Sequence, residues 1–233
     1  MVGGTDTPRS PANRAPGTRR SENLLRACAI FGLAPEELAA AHTPPRFARA
    51  LLGGLAGAER VLILGPSGAG KSTLLASLAA QHAAQGRRIV RPPELRRGVR
   101  VIDQVPGSAE QVLGILAAAG LSEAGLLART PAELSEGQRQ RLRLARAMAM
   151  VERMRSRTAV LVIDELGSSL DRVTALGVCA SLSRWARRGR VRLVAATNRE
   201  ELSGALSPQV CAWVDLRGGV RLERCVGTRE PRA

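Results

Sequence analysis

The stretch GPSGAGKST, residues 65–73, follows the apolar run VLIL (61–64) and opens into the alanine- and leucine-rich segment TLLASLAAQHAA. An apolar run ending in glycines and passing straight into a helical pattern predicts a strand, a tight loop and a helix. The loop residues Gly65, Pro66, Ser67, Gly68, Ala69, Gly70, Lys71 and Ser72 fit G-x-x-x-x-G-K-[ST]. In that setting glycines let backbone N–H groups turn inward as an anion nest, and the helix start aims its positive dipole end at the same point. Lys71 is the only lysine among 35 Lys and Arg residues. Arginine is a flat fork, whereas lysine is a compact charge on a thin stem that slips between phosphate oxygens. A chain that otherwise writes arginine keeps lysine where this loop calls for it. Lys71 is therefore expected on the terminal phosphates, Ser72 on Mg²⁺, and Thr73 beside them at the helix start.

Working outward, strand and helix patterns alternate. RRIVRP and GVRVIDQV read as short strands, AEQVLGILAAAG and SEAGLLA as helices, and SEGQRQRLRLARAMAMVERM as a long amphipathic helix. AVLVIDE follows as a strand apolar on both faces, then the helix DRVTALGVCASLSRWARRG, the strand VRLVAATN, the short helix REELSGAL, and two strands around the Gly-Gly turn of VCAWVDLRGGVRLERC. This alternation predicts an α/β fold with a mostly parallel sheet flanked by helices. Residues 1–21 read as a disordered basic tail and 22–56 as short helices broken by prolines. Residues 57–225 read as the main domain, and 226–233 as a flexible tail.

The net charge of +15 raises nucleic acid as a partner, but part of it lies in the two tails, and the aromatics are only Phe31, Phe47, Trp185 and Trp213. So few stacking groups argue against a platform for single-stranded nucleic acid. Four cysteines without a C-x-x-C pair and two histidines do not compose a zinc site. No stretch supplies the roughly 20 apolar residues of a membrane span, and the chain reads as cytoplasmic.

Two further motifs carry chemistry. Asp164 and Glu165 end the apolar run AVLVI, where one carboxylate suits the Mg²⁺ shell and its neighbour suits polarising an attacking water. In LSEGQRQRL, Ser135 and Gln138 form an S-x-x-Q capping box, and a capped helix start beside Gly137 is also an anion site. Here the chain resembles the ATP-binding cassette (ABC) ATPases, whose signature L-S-G-G-Q is matched by Leu134-Ser135-Glu136-Gly137-Gln138 with Glu136 as the departure. The resemblance spans about residues 61–216. It implies a P-loop ATPase that binds ATP and Mg²⁺, hydrolyses ATP, and works as a head-to-tail homodimer in which Ser135, Gly137 and Gln138 close over the partner's nucleotide. It also implies Asp171 of DELGSSLD as the D-loop residue, which suits a helix N-cap equally well. Gln104 of VIDQVPG is implied on Mg²⁺ and the γ-phosphate.

Beyond Glu136, the sequence departs from the family in three places. Asn198 stands where a switch histidine is expected; it donates a hydrogen bond but carries no charge, so hydrolysis is expected to be slow. With Glu201, Asn198 also reads as a helix cap. No tyrosine is available to stack on adenine, and Phe47 is the nearby candidate, with a core position as its alternative. About thirty residues separate Gln104 from Ser135, a short helical insert before the signature. That brevity points to a compact ABC ATPase, similar to stand-alone or acetyltransferase-fused kinds, that serves a soluble protein partner. The alternatives are the nucleotide-binding subunit of a membrane permease, and a nucleotide-gated nucleic-acid-binding ATPase using RQRLRLAR and RWARRGRVR.

Overall fold

The structure, a computed structural model, describes residues 22–32, 34, 49–154 and 158–225. The two expected tails, the helix expected over PEELAAAH and Phe47 lie outside these residues. The chain divides into two compact units, residues 1–44 and 45–233. In the first, helix α1 (Glu22–Phe31) carries an exposed Arg26–Glu22 ion pair of 2.7 Å across one turn. Such a pair adds only a few tenths of a kcal/mol.

The second unit opens with α2 (Arg49–Gly57), β1 (Arg60–Leu64) and α3 (Lys71–Ala84). Then come β2 (Arg88–Val90), a single turn α4 (Val101–Gln104), and α5 (Ala109–Ala118). Two 3₁₀ turns at Ala124–Leu126 and Pro131–Glu133 lead into the long α6 (Glu136–Arg153). The rest alternates as β3 (Ala159–Ile163), α7 (Arg172–Gly189), β4 (Arg192–Thr197), α8 (Leu202–Leu206), β5 (Val210–Val214) and β6 (Val220–Arg224).

The strands form one six-stranded sheet in the order β2-β3-β4-β1-β5-β6. Every pair is parallel except β5 with β6, which form the antiparallel hairpin expected at the Gly-Gly turn. The fold is thus the expected α/β arrangement. Alternation sorts the side chains between two cores. Leu62 and Leu64 of β1 and Leu161 and Ile163 of β3 pack with Ile115 of α5, Leu142 of α6 and Leu182 of α7. Val61, Ile63, Val160 and Val162 point the other way onto Leu55 of α2 and Leu74 and Leu78 of α3. Both faces of the central strands are covered, which is why they read as unbroken apolar runs. Each fully buried leucine contributes roughly 1.5–3 kcal/mol.

Two expected elements are corrected. GVRVIDQV does not form a strand; its middle is the turn α4, because Val101 N and Ile102 N bond to the carbonyls of Arg129 (2.8 Å) and Leu127 (3.2 Å) rather than to the sheet. SEAGLLA shrinks to a 3₁₀ turn. No helix among the described residues is long and apolar enough to cross a membrane.

Candidate functional site

The parallel strands β1, β3 and β4 all end on one edge of the sheet, so the loops after them meet there. The loop after β1 is shaped by glycine. Gly65 has φ +150°, and a Cβ there would lie 2.2 Å from the Val214 carbonyl oxygen of β5. Only glycine lets the chain turn this close to the neighbouring strand. Gly70, at φ 93°, takes the N-cap position of α3 without any side-chain cap. The first N–H groups of α3 are thereby left facing the loop.

A cavity of about 360 Å³ opens at this point, lined by Ser67, Gly68, Gly70, Lys71 and Ser72 from the loop, Asp164, Glu165 and Ser168 after β3, and Thr197 and Asn198 at the end of β4. Lys71 Nζ donates to the Pro66 carbonyl oxygen at 2.7 Å, folding its stem back over the loop. Asp164 Oδ1 accepts from Glu165 N at 2.9 Å. Glu165 itself has φ 50°, a left-handed conformation that costs a non-glycine residue about 1 kcal/mol or more. Asn198 is exposed, and its amide makes no hydrogen bond among the described residues. The helix-cap alternative does not describe it: α8 starts after Glu201 and has no side-chain cap.

Four sequence-expected residues lie on neighbouring elements. Ser135 caps α6, its Oγ accepting from Gln138 N (3.2 Å) while Gln138 Oε1 accepts from Ser135 N (2.9 Å). Gly137 is packed so tightly that a Cβ would meet Leu170 and the Ser169 carbonyl at 3.0 Å. Asp171 caps α7 by accepting from Thr174 N at 2.9 Å, and hydrogen bonding from the Thr174 side chain, then from its backbone N–H, holds the carboxyl below the usual range. Side chains from α6, including Glu136 and Gln140, line a second cleft of about 650 Å³ that also takes in Ser72, Asp164, Glu165 and Ser168.

Gln104 lies apart from these residues. Only 1% of it is exposed, and its amide is spent on the local backbone: Nε2 donates to the carbonyls of Arg96 (2.6 Å) and Val99 (3.0 Å), and Oε1 accepts from Arg96 N (3.1 Å). It holds the loop before α4 and does not border the cavity of Lys71 and Asp164.

Several residues at the site carried no signal in the sequence. Gln140 donates to the Glu165 carbonyl (3.1 Å) and accepts from Ser169 Oγ (2.9 Å), tying α6 to the loop after β3. Arg199 donates to the carbonyls of Gly167 (2.9 Å) and Leu170 (2.7 Å), bracing the same loop from β4. Thr197 Oγ1 donates to the Leu166 carbonyl at 2.9 Å. Arg91, one residue past β2, lines the second cleft. Its only sequence cue is its place between a strand and the pair Pro92-Pro93.

A phosphate loop at the end of the first strand, with paired carboxylates two strands away on the same edge of a parallel sheet, defines a P-loop NTPase. Residues 54–166 match the ABC transporter family. The aliphatic sulfonates import ATP-binding protein SsuB 2 of Rhodococcus jostii is 32% identical over 188 residues, 74% of this chain and 74% of that protein. The thiamine import ATP-binding protein ThiQ of Salmonella typhimurium is 31% identical over 205 residues, covering 76% of this chain and 83% of that one. Among solved structures, the ATP-binding cassette MJ0796, solved as a dimer in a post-hydrolysis state with ADP and Pi, aligns with a TM-score of 0.56 at 21% identity. That alignment covers 72% of this chain and 86% of MJ0796, and it supports the fold. The chain belongs to the ABC family and is an ABC-type ATPase.

Proposed function

We propose that this chain is the ATP-hydrolysing subunit of a membrane transporter, acting as a head-to-tail homodimer. The observation that carries the ATPase half is the convergence of the glycine loop, Lys71, Ser72, Asp164, Glu165 and Asn198 on one cavity. The relatives named above, both import ATP-binding proteins, support the transporter half over a soluble partner.

The cavity fits a magnesium nucleotide. The loop of residues 65–73 offers backbone N–H groups that a Cβ at Gly65 would displace, and Ser72 with Asp164 supplies the hard oxygen ligands that Mg²⁺ takes alongside phosphate. When bound, the ion neutralises charge on the phosphate oxygens. Lys71 swings from the Pro66 carbonyl to the terminal phosphates. Glu165 accepts a hydrogen bond from the attacking water and aligns it. Asn198 donates to the γ-phosphate without adding charge, so hydrolysis is slow. Ser135, Gly137 and Gln138 of a second copy cover the nucleotide, with Asp171 beside them.

The test is Glu165→Gln, tagged and purified from cells with ATP present. It should retain ATP, run at twice the monomer mass, and carry a membrane permease with it. Hydrolysis at the wild-type rate would remove Glu165 from its role, and a monomer with bound ATP would remove the dimer. The second reading, a soluble partner, is favoured by one observation: between β2 and α6 the chain builds only α4, the ten-residue α5 and two 3₁₀ turns. Recovery of the chain solely in the soluble fraction, with a soluble protein attached to Glu165→Gln, would establish that reading instead.

A further inference from the structure

We propose that Arg91 is a catalytic residue of this ATPase, its guanidinium stabilising the charge that develops on the γ-phosphoryl oxygens during hydrolysis. The inference rests on the ATPase reading above and adds to it a charged group that the chain's motifs do not announce.

Placement comes first. β2 runs parallel to β3 with Val90 opposite Leu161, so the same register sets Arg91 beside Val162, two residues before Asp164. Parallel pairing brings the end of β2 to the edge of the sheet where the carboxylates lie. Arg91 precedes Pro92, and the proline ring disfavours a helical conformation at the residue before it, so Arg91 continues the line of the strand. The following Glu94 is anchored: its carboxylate pairs with Arg143 at 3.0 Å, and its carbonyl accepts from Arg146. The segment is held at both ends.

Availability comes second. Arg91 lines the cleft that contains Ser72, Asp164, Glu165 and Ser168. The other two guanidiniums of this cleft are committed. Arg141 donates to the carbonyls of Gly137 (3.3 Å) and Gly120, and Arg143 pairs with Glu94 and with Glu136 (3.7 Å). Arg91 has no hydrogen bond or ion pair among the described residues, although four carboxylates, Glu94, Glu136, Asp164 and Glu165, share its cleft.

Need comes third. Among the described residues Lys71 is the only cation lining the loop cavity, Asn198 is neutral, and Gln104 is buried on its own loop. Phosphoryl transfer passes through a loose transition state with charge spread over the γ-oxygens, and a guanidinium brought there is among the strongest stabilisers available; Arg91 is exposed and uncommitted, free to turn onto those oxygens when ATP binds. Arginine stays protonated throughout, so Arg91 exchanges no proton: water adds to the γ-phosphorus, the bond from it to the β–γ bridging oxygen breaks, one water proton stays on the inorganic phosphate, the other is released to solvent, and ADP leaves.

The experiment compares wild type, Arg91→Ala, Arg91→Lys and Arg97→Ala in single-turnover ATP hydrolysis, with ATP affinity and melting temperature measured alongside. Arg97 is an exposed arginine of the same segment, outside the cleft, and serves as the control. Arg91→Ala should lose at least about a hundredfold in rate while ATP affinity changes less than about threefold. It should also lose orthovanadate trapping of ADP and regain part of its rate with added guanidinium ion, which a structural role would not produce. Arg91→Lys should recover only part, because an ammonium lacks the planar fork. If Arg91→Ala hydrolyses ATP as fast as Arg97→Ala, or loses rate that guanidinium does not restore, the assignment is overturned. If wild type itself hydrolyses no ATP, the underlying ATPase reading fails, a different and separable result.

Discussion

His82, in the last turn of the helix that follows the phosphate loop, should make the protein lose stability in mild acid. The ring is fully buried. Its Nδ1 faces Arg87 Nη1 at 2.5 Å and its Nε2 has no partner among the described residues, so the imidazole is neutral and accepts at Nδ1. Burial, then the positive charges of Arg87 and Arg192, pushes its pKa from the ordinary 6.5 down to about 4. The unfolded chain takes up a proton below about pH 6.5, whereas the folded chain resists until about pH 4. Stability from this residue is therefore full above pH 6.5, falls as pH drops towards 4, and changes no further below that. At about 1.36 kcal/mol for each tenfold change in proton affinity, the whole effect is about 3 kcal/mol. Roughly 2 kcal/mol of it is lost between pH 7 and pH 4.5. Urea unfolding at those two pH values reads it directly; with a slope of about 3 kcal/mol/M the midpoint should drop by about 0.7 M. Carboxylates also titrate in this range, so the comparison is with His82→Leu, which keeps the volume and removes the titration. Arg87 retains the Ala56 carbonyl at 3.1 Å in that variant. The variant should be less stable at pH 7 but should lose less on acidification, by about 2 kcal/mol. Equal losses in the two proteins would refute the argument, because the acid sensitivity would then come from other groups.

Lys71→Arg should reduce steady-state ATP hydrolysis at least about a hundredfold with an unchanged melting temperature, because the forked head does not fit the turn back over the loop; full activity would make the lone lysine a coincidence. Asn198→His should raise the single-turnover hydrolysis rate by placing a second donor of variable charge beside the γ-phosphate, and an unchanged rate would remove Asn198 from the switch role. Gly65→Ala should cost about 3 kcal/mol in urea unfolding and abolish ATP binding, since the added Cβ would lie 2.2 Å from the Val214 oxygen. Cys211 of β5 and Cys225 just past β6, free thiols with their Sγ atoms 3.2 Å apart, should lose two hydrogens to hydrogen peroxide as one intramolecular disulfide. Intact-mass measurement, with Cys225→Ser as control, checks that outcome.

Legibility in the sequence followed locality. The phosphate loop was readable because a strand end, a glycine turn and a helix start are successive in the chain and impose their residue types through backbone geometry alone. The capping box of Ser135 and Gln138 was readable for the same reason, since both bonds close within one helical turn. Asp171 showed as a cap by the same logic. Gln104 was expected beside Mg²⁺ only through the family resemblance, and the segment around it, VRVIDQ, alternates as a strand does. Bonds to the carbonyls of Arg129 and Leu127, more than two dozen positions away, wound that segment into a turn and drew the amide inward. Gln140 and Arg199 were invisible because the loop they brace is distant along the chain.

The sequence by itself determined the parts: which segments are strands buried on both faces, where the glycine nest forms, and which carboxylates end a strand. These follow from steric limits on φ and ψ, from side-chain periodicity and from hydrogen bonds within a few residues. Only the tertiary structure decided the strand order β2-β3-β4-β1-β5-β6, and with it which strand ends meet. That order brought Asp164, Glu165 and Asn198 to the loop of Lys71, left Gln104 out, and carried Arg91 into the neighbouring cleft. Pairing between strands depends on contacts far apart in the chain, and no local propensity encodes which arginine will be left without a partner when the sheet has closed.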